Sequence, residues 1–232
     1  FFFKQKTAYE ITYGDWSSDV CSSDLFSLEM TDREMTFRML SQITNIPPDR
    51  IERRELSRDE SDAVARAFRE LGGWDMTIYA DPSITPGEIR SRQMREKFDL
   101  IVIDYLQRFH FVDWMEIPRI AKSFKNTALS TKCCIDLLSQ LTPPPLKPGG
   151  NPFSTPNMNS LYGGKATGHE ADNVFFVWAA RVQNEGSWER SGFGEIINAK
   201  ARGGRTEFSV PVKFNPNSVK WEQINESKMH PV

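Results

Sequence analysis

The chain has 232 residues, of which 29 are basic and 31 are acidic, and its formal net charge is −2. A nearly neutral chain does not coat nucleic acid through bulk charge, so any contact with phosphates must come from local basic loops. No apolar run reaches the roughly 18 residues that a membrane-spanning helix requires. These features exclude a membrane-spanning protein and favour a cytoplasmic domain with one large core.

The first 25 residues differ in origin from the rest of the chain. Residues 15–25 back-translate to a sequencing-library adapter, and residues 4–11 back-translate to its flow-cell end. The sequence therefore predicts that residues 1–25 are a technical artefact and that the native chain begins at or before Phe26. Two of the 29 basic and four of the 31 acidic residues lie in this segment, so 27 of each sign remain.

Helices and strands alternate along the first half of the remaining chain. Three segments begin with the capping pattern Ser/Thr-x-x-Glu, in which the first and last side chains satisfy backbone N–H groups at a helix start. The predicted helices start at Thr31, Ser57 and Thr85, and the predicted strands cover residues 26–28 and 76–80.

The second half begins with an apolar strand ending at Asp104, followed by a helix at 115–130 and a strand at 133–138. Cys133 and Cys134 are adjacent in that strand, where we expect buried packing residues in a reducing compartment. A proline-rich loop covers 142–159, three strands follow as a meander, and residues 224–232 form a tail. The alternation predicts an α/β fold with a mostly parallel sheet flanked by helices. The strands of the meander are expected at residues 173–181, 195–202 and 206–214.

Three of the predicted strands end on polar residues, namely Glu29, Asp104 and Gln140. Hydrolysis of ATP needs a bound divalent metal, a residue that deprotonates or orients the attacking water, and donors for the γ-phosphate. Asp104 suits the acid that holds Mg²⁺ through its water shell, Glu29 suits the catalytic base, and Gln140 suits a γ-phosphate sensor. The pattern therefore predicts an ATP-hydrolysing core.

Lys200 and Arg202 stand two residues apart where a later strand runs into two glycines. Two cations on one side of a strand end suit a finger that stabilises transition-state charge on a neighbouring subunit's ATP. Taken singly, this pair and Glu29 would be interpreted as solvated surface charges. Their occurrence together and in this order favours the catalytic interpretation.

Five motifs in this chain together resemble the C-terminal motor domain of DnaB-type replicative DNA helicases. The resemblance covers residues 26–223 and implies a RecA-like P-loop NTPase core. The motifs are Phe26-Ser-Leu-Glu-Met30, Asp99-Leu-Ile-Val-Ile-Asp-Tyr-Leu-Gln107, Leu138-Ser-Gln-Leu141, His169-Glu-Ala-Asp-Asn-Val174 and Ala199-Lys-Ala-Arg-Gly-Gly204.

The resemblance also implies an assembly and its ligands. It implies a homo-hexamer with ATP and Mg²⁺ at each subunit boundary, where Lys200 and Arg202 reach the neighbour's nucleotide. Single-stranded DNA would run through the central channel and touch the loop that contains Gly163, Gly164 and Lys165. A primase and a helicase loader are further expected partners.

The chain departs from the family pattern at several positions. The Walker A motif, Gly-x4-Gly-Lys-Ser/Thr, should lie upstream of Phe26, so the core is expected to lack its P-loop strand and helix. Gly164-Lys165-Ala166 cannot replace the motif, because Ala166 lacks the hydroxyl that holds Mg²⁺. Thr142 and Pro143 stand where the family has Asn-Arg, and Tyr162 replaces the usual arginine of the DNA loop. The chain as printed is therefore expected to be inactive.

Two other functions remain open from the sequence. A RecA-like recombination or repair ATPase shares the acid and base pattern but does not unwind DNA. A non-catalytic DNA-binding subunit could keep the fold and lose turnover. The Lys200 and Arg202 pair favours the helicase over the first alternative, and retention of Glu29, Asp104 and Gln140 argues against the second.

Overall fold

The structure is a computed structural model that describes residues 2–4, 22–111, 113–142, 154–184, 187–204, 206 and 208–224. Within these residues the chain forms a nine-stranded sheet with helices packed on both faces. The strands are β1 Phe2–Lys4, β2 Ser23–Ser27, β3 Met76–Ala80, β4 Leu100–Asp104, β5 Cys134–Ser139, β6 Asn173–Asn184, β7 Ser187–Ala201, β8 Phe208–Asn215 and β9 Lys220–Gln223.

The strand order is β3-β2-β4-β5-β1-β6-β7-β8-β9. The first six strands run parallel, and β7, β8 and β9 continue the sheet as an antiparallel meander. The predicted α/β fold with a mostly parallel sheet is confirmed. The first two meander strands are longer than predicted, because β6 and β7 pair as a hairpin through residues 173–201.

Three of the α-helices within the described residues begin where the capping patterns predicted, whereas the helix that begins at Lys165 falls in a segment predicted as a loop. The side chains of Thr31, Ser57 and Thr85 each accept a hydrogen bond from the backbone N–H of the glutamate three residues later. The carboxylate of that glutamate accepts a hydrogen bond from the backbone N–H of the capping residue. A short helix beginning at Pro48 was not predicted, although proline is tolerated at a first helical position. The helices are α1 Asp32–Thr44, α2 Pro48–Arg53, α3 Arg58–Leu71, α4 Pro86–Glu96, α5 Ile117–Thr131 and α6 Lys165–Glu170.

The core lies on both faces of the parallel strands, because successive residues of a strand point to opposite faces. Phe26 and Ile103 pack with α4 and α5 on one face. Leu25 and Val102 pack with α1 on the other face. Cys133 is buried as predicted, but the prediction for Cys134 is wrong: as the first residue of β5 it lies exposed at the end of the strand.

The N-terminal residues contribute to the sheet, contrary to the expected gap at its centre. β1 lies between β5 and β6, where Phe2 pairs with Leu138 and Phe175. β2 begins at Ser23 and so crosses the predicted boundary between residues 25 and 26. The artefact origin of residues 1–25 stays a prediction. Residues 5–21, most of the proline-rich loop and the tail from residue 225 lie outside the described residues.

No helix in the described part of the chain is both long and apolar enough to cross a membrane.

Candidate active site

The ends of β2, β4 and β5 bring the three predicted catalytic residues to one side of the sheet, here called the carboxyl edge. Ser27 pairs with Asp104, and Ile103 pairs with Leu137, so the three parallel strands end at nearly the same height. Glu29 lies two residues beyond β2, and Gln140 lies one residue beyond β5. In open α/β sheets, ligands bind at this edge.

Asp104 is the last residue of β4 and is only 3% exposed. Its backbone carbonyl accepts a 2.8 Å hydrogen bond from the N–H of Leu28, which extends the β2–β4 pairing beyond Ser27. Mg²⁺ is commonly held by one or two carboxylates together with water and substrate phosphates. No cluster of three metal-ligating side chains occurs among the described residues.

Glu29 is exposed in the bend that follows β2. The bend is held by Ser27, whose hydroxyl donates to the Met30 carbonyl at 2.7 Å and accepts from the Met30 N–H at 3.1 Å. Arg108 Nε donates to the Leu28 carbonyl at 3.1 Å, directly before Glu29. The Glu29 carboxylate is therefore accessible on a backbone that is fixed from two sides.

Tyr105 is a site residue that sequence reasoning missed. Burial raises the pKa of its hydroxyl, and the nearby Glu29 carboxylate raises that pKa further. A hydrogen bond with the Gln140 side chain acts in the opposite direction. Tyr105 thus lies between the predicted base and the predicted sensor as a neutral hydroxyl at pH 7. Its position directly after Asp104 was the signal available in the sequence.

The backbone of Gln140 is held by the side chain of Gln107, a second missed residue. Gln107 Nε2 donates to Ser139 Oγ at 2.7 Å and to the Gln140 carbonyl at 3.2 Å. Gln107 Oε1 accepts from the Gln140 N–H at 3.1 Å. Gln107 belongs to a short 3₁₀ turn, Leu106–Arg108, that follows β4.

Lys200 and Arg202 are not brought to this site. Lys200 pairs with Val174 near the start of β6, and Arg202 lies beyond the end of β7. Four strand spacings separate β4 from β7, so Arg202 lies roughly 20 Å from Asp104. An arginine side chain cannot span that distance within one subunit.

The two cations instead contact residues around the end of α6. Lys200 Nζ donates to the carbonyls of Gly168 and His169, each at 3.0 Å. Arg202 and Lys125 both form ion pairs with Asp172, the former at 2.7 Å. The hydrogen bond from Lys125 is the main reason that the pKa of Asp172 is lowered, and burial is the main reason that the pKa of Lys200 is lowered.

The predicted DNA loop runs directly into α6. Gly163 and Gly164 have φ angles of +80° and +69°, and Lys165 is the first residue of the helix, with an exposed side chain. A Cβ atom on Gly163 would approach Thr167 Oγ1 to 2.5 Å. Thr167 Oγ1 donates to the Tyr162 carbonyl at 3.0 Å, so glycine allows the loop to close against its own helix.

The fold defines an α/β domain of the RecA-like class, and the three predicted catalytic residues lie at the carboxyl edge of its sheet. The profile of the family described as "DnaB-like helicase C terminal domain" matches residues 4–223, so the chain belongs to that family. The match begins upstream of Phe26, the predicted latest start of the native sequence.

Curated relatives include replicative DNA helicases of the DnaB type. The DnaB of Buchnera aphidicola subsp. Baizongia pistaciae is 25% identical over 215 residues, covering 88% of this chain and 45% of the relative. The DnaB of Geobacillus stearothermophilus is 28% identical over 190 residues, covering 78% of this chain and 41% of the relative. The chain thus spans less than half the length of these relatives.

Solved structures show the same fold. A solved ATPase domain aligns with a TM-score of 0.77 at 20% identity, over 97% of this chain and 84% of that one. A structure titled "The Structure Of A DnaB-Like Replicative Helicase And Its Interactions With Primase" aligns with a TM-score of 0.74 at 20% identity. It covers 95% of this chain and 56% of that one.

Proposed function

We propose that this chain is the motor domain of an ATP-dependent replicative DNA helicase. The observation that carries the proposal is the meeting of Glu29, Asp104 and Gln140 at the carboxyl edge of the sheet, in a chain that belongs to the DnaB-like family. Hydrolysis would drive translocation along single-stranded DNA and unwinding of the duplex ahead.

The three edge residues have distinct roles in this mechanism. Bound ATP would supply the scissile phosphoanhydride bond, and Mg²⁺ would offset the negative charge of the phosphates. Asp104 would hold the water shell of the metal from the end of a buried strand. Glu29 would accept a proton from the attacking water or orient it. Gln140 would contact the γ-phosphate and relay its loss through Tyr105 and the loop after β5.

Lys200 and Arg202 would act on the nucleotide of a neighbouring subunit. The support is their distance from their own subunit's Asp104, together with the need for a cation that stabilises transition-state charge. A closed homo-hexamer, in which each site receives the pair from the next subunit, meets this need. Asp172 and the carbonyls of α6 would hold the pair in place before and during assembly.

DNA and protein partners belong to the same proposal. Lys165 is an exposed cation at a glycine-rich turn and would contact the phosphate backbone of single-stranded DNA, with Gly164, whose Cβ position is open, allowing close approach and Gly163 allowing the turn itself. A primase and a helicase loader are proposed as partners of the complete protein, and the cytoplasm as its location.

The test is strand separation on a forked duplex by the full-length protein, with and without ATP and Mg²⁺. Glu29→Gln keeps the size and hydrogen bonding of the side chain but removes the base. We expect its turnover to fall on the order of 10²-fold or more while ATP binding is retained. Glu52→Gln, at an exposed position of α2, is the matched control and should change neither quantity.

The possible outcomes separate the three functions considered. ATP-dependent strand separation that Glu29→Gln abolishes supports the helicase. DNA-stimulated hydrolysis without strand separation would point to a recombination ATPase instead. DNA binding without any turnover would point to a non-catalytic subunit, and near-normal turnover in Glu29→Gln would refute the assignment of the base.

A further inference from the structure

At the carboxyl edge, the side chain of Gln107 takes the place of backbone pairing between β4 and β5. Pairing between β4 and β5 ends at Ile103 and Leu137, because after Asp104 the chain turns into the 3₁₀ turn Leu106–Arg108. A primary carboxamide carries a donor and an acceptor, as a peptide group does. Gln107 uses both on Gln140, bonding its N–H at 3.1 Å and its carbonyl at 3.2 Å.

A third hydrogen bond anchors the Gln107 side chain to the end of β5. Gln107 Nε2 also donates to Ser139 Oγ at 2.7 Å, the shortest of its contacts. Ser139 is buried and is the last residue of β5, so the Gln107 side-chain amide is anchored to the sheet itself. Gln140 itself is exposed, and the described residues give its backbone no other pairing partner from β4.

The same turn contacts the strand on its other side. Arg108, the next residue, donates through Nε to the Leu28 carbonyl at 3.1 Å, one residue before Glu29. Adjacent side chains of one turn thus hold the segment after β2 and the segment after β5. The turn therefore fixes the positions of both segments relative to Asp104, which lies two residues before the turn begins.

We propose that Gln107 is a positioning residue for ATP hydrolysis, which sets the place of Gln140 relative to Asp104 and so couples nucleotide state to the loop after β5. This inference rests on the proposed function. Both amide atoms of Gln107 are engaged by Ser139 and the backbone of Gln140, so it acts through the sensor. The residues after Gln140 are held elsewhere, by the Leu141–Leu161 bridge and the hydrogen bond from the Thr142 N–H to the Ser160 carbonyl. Gln107 is therefore the contact that ties the Gln140 backbone to the turn after β4, and catalysis falls steeply when a reacting group is misplaced by about 1 Å.

The test compares Gln107→Met with a matched change elsewhere in the same protein. Methionine keeps the length of the side chain and removes all three hydrogen bonds. Gln93 in α4 offers the control, because its amide forms the same two-bond contact with a backbone residue, donating to the Phe98 carbonyl at 2.9 Å and accepting the Phe98 N–H at 3.0 Å. Phe98 precedes β4, so this contact lies at the opposite edge of the sheet.

Three quantities are measured for the full-length wild type and both variants. They are DNA-stimulated turnover, ATP affinity and the rate of hydrogen exchange at the Gln140 backbone amide. We expect Gln107→Met to lower kcat about tenfold, with ATP affinity unchanged, and to speed exchange of the Gln140 amide by about the same factor. Gln93→Met should lower the melting temperature about as much as Gln107→Met does. It should leave kcat and the exchange of the Gln140 amide as in the wild type.

Two results would overturn the inference. One is a Gln107→Met protein that keeps wild-type kcat, and the other is an equal loss of kcat in Gln93→Met, which would show a general effect of stability. If Gln107→Met does not fold, Gln107→Glu is measured in its place. This variant keeps the acceptor for the Gln140 N–H and loses the two donated bonds, and an unchanged kcat in Gln107→Glu also refutes the role. A wild-type protein without DNA-stimulated turnover would instead refute the proposed function, whatever the variants do.

Discussion

At the scale of single residues, Asp24 is the least expected feature of the core. It is the second residue of β2 and is 1% exposed, and neither carboxylate oxygen has a hydrogen-bond partner among the described residues. Burial is the main cause that raises its pKa to about 7, with Glu96 and Asp75 adding to the shift and Arg92 opposing it.

The raised pKa of Asp24 predicts that stability depends on pH. The folded state holds the proton more tightly than the unfolded state, so the stability from this group is present below pH 4 and is lost as the pH rises through 7. Asp24→Asn should therefore raise the free energy of unfolding at pH 8, by roughly 1–3 kcal/mol, and by much less at pH 5. Urea unfolding of the 232-residue chain at both pH values measures this.

Asp62→Asn, at an exposed position of α3, is the control for that experiment and should give the same small change at both pH values. A gain in Asp24→Asn that does not differ between pH 5 and pH 8 would show that the carboxylate is already neutral or already solvated.

Glu29, Asp104 and Gln140 were predictable from the sequence as a set, because each follows an apolar run and the three occur in a family-like order. Gln107 and Tyr105 were not, although both belong to a motif that the sequence made prominent. Gln107 reaches the Gln140 backbone, and Tyr105 interacts with the side chains of Glu29 and Gln140, so both roles depend on contacts between neighbouring strands. These contacts are decided by strand order and by the turn after Asp104, and neither is encoded in a local pattern.

At the scale of elements, capping patterns predicted the starts of α1, α3 and α4, since a helix start is satisfied by residues within one turn of it. The short helix α2 escaped prediction because Pro47 and Pro48 indicate a break, while proline at a first helical position is also compatible with a start. The full length of the β6–β7 hairpin escaped it because that pairing is non-local.

The turn before α6 gives a prediction of its own. Lys165→Ala should weaken binding of single-stranded DNA without sequence preference and reduce the salt slope by about 0.7, the counterion release of one phosphate contact. Lys122→Ala, an exposed position on α5, should leave the slope unchanged. Binding titrations of the full-length protein at several salt concentrations measure both, and an unchanged slope in Lys165→Ala would make this residue a solvated loop lysine.

At the scale of the whole molecule, the sheet separates two kinds of charged group. Glu29 and Asp104 lie where β2 and β4 end, whereas Lys200 and Arg202 lie four strands away, near the start of β6. If both groups belong to the proposed site, a subunit carries its two halves on opposite sides and would complete a site only with its neighbours. This geometry favours action in trans.

Mixed rings test that arrangement. Arg202→Ala subunits should fold and bind ATP, yet each should disable the site of its neighbour, so activity should fall faster than the fraction of mutant added. Turnover is measured at several mixing ratios, with Arg53→Ala on the exposed end of α2 as the control. A fall in direct proportion to the mutant fraction would contradict a role in trans.

The sequence by itself determined the fold class, the family and the strand ends that carry Glu29, Asp104 and Gln140, because apolar runs, capping boxes and short motifs are local properties of the chain. The tertiary structure decided which edge each group occupies, that β1 lies between β5 and β6, and that Gln107 holds Gln140. These features depend on contacts between residues far apart in the sequence, and such contacts arise only when the strands take their order in the sheet.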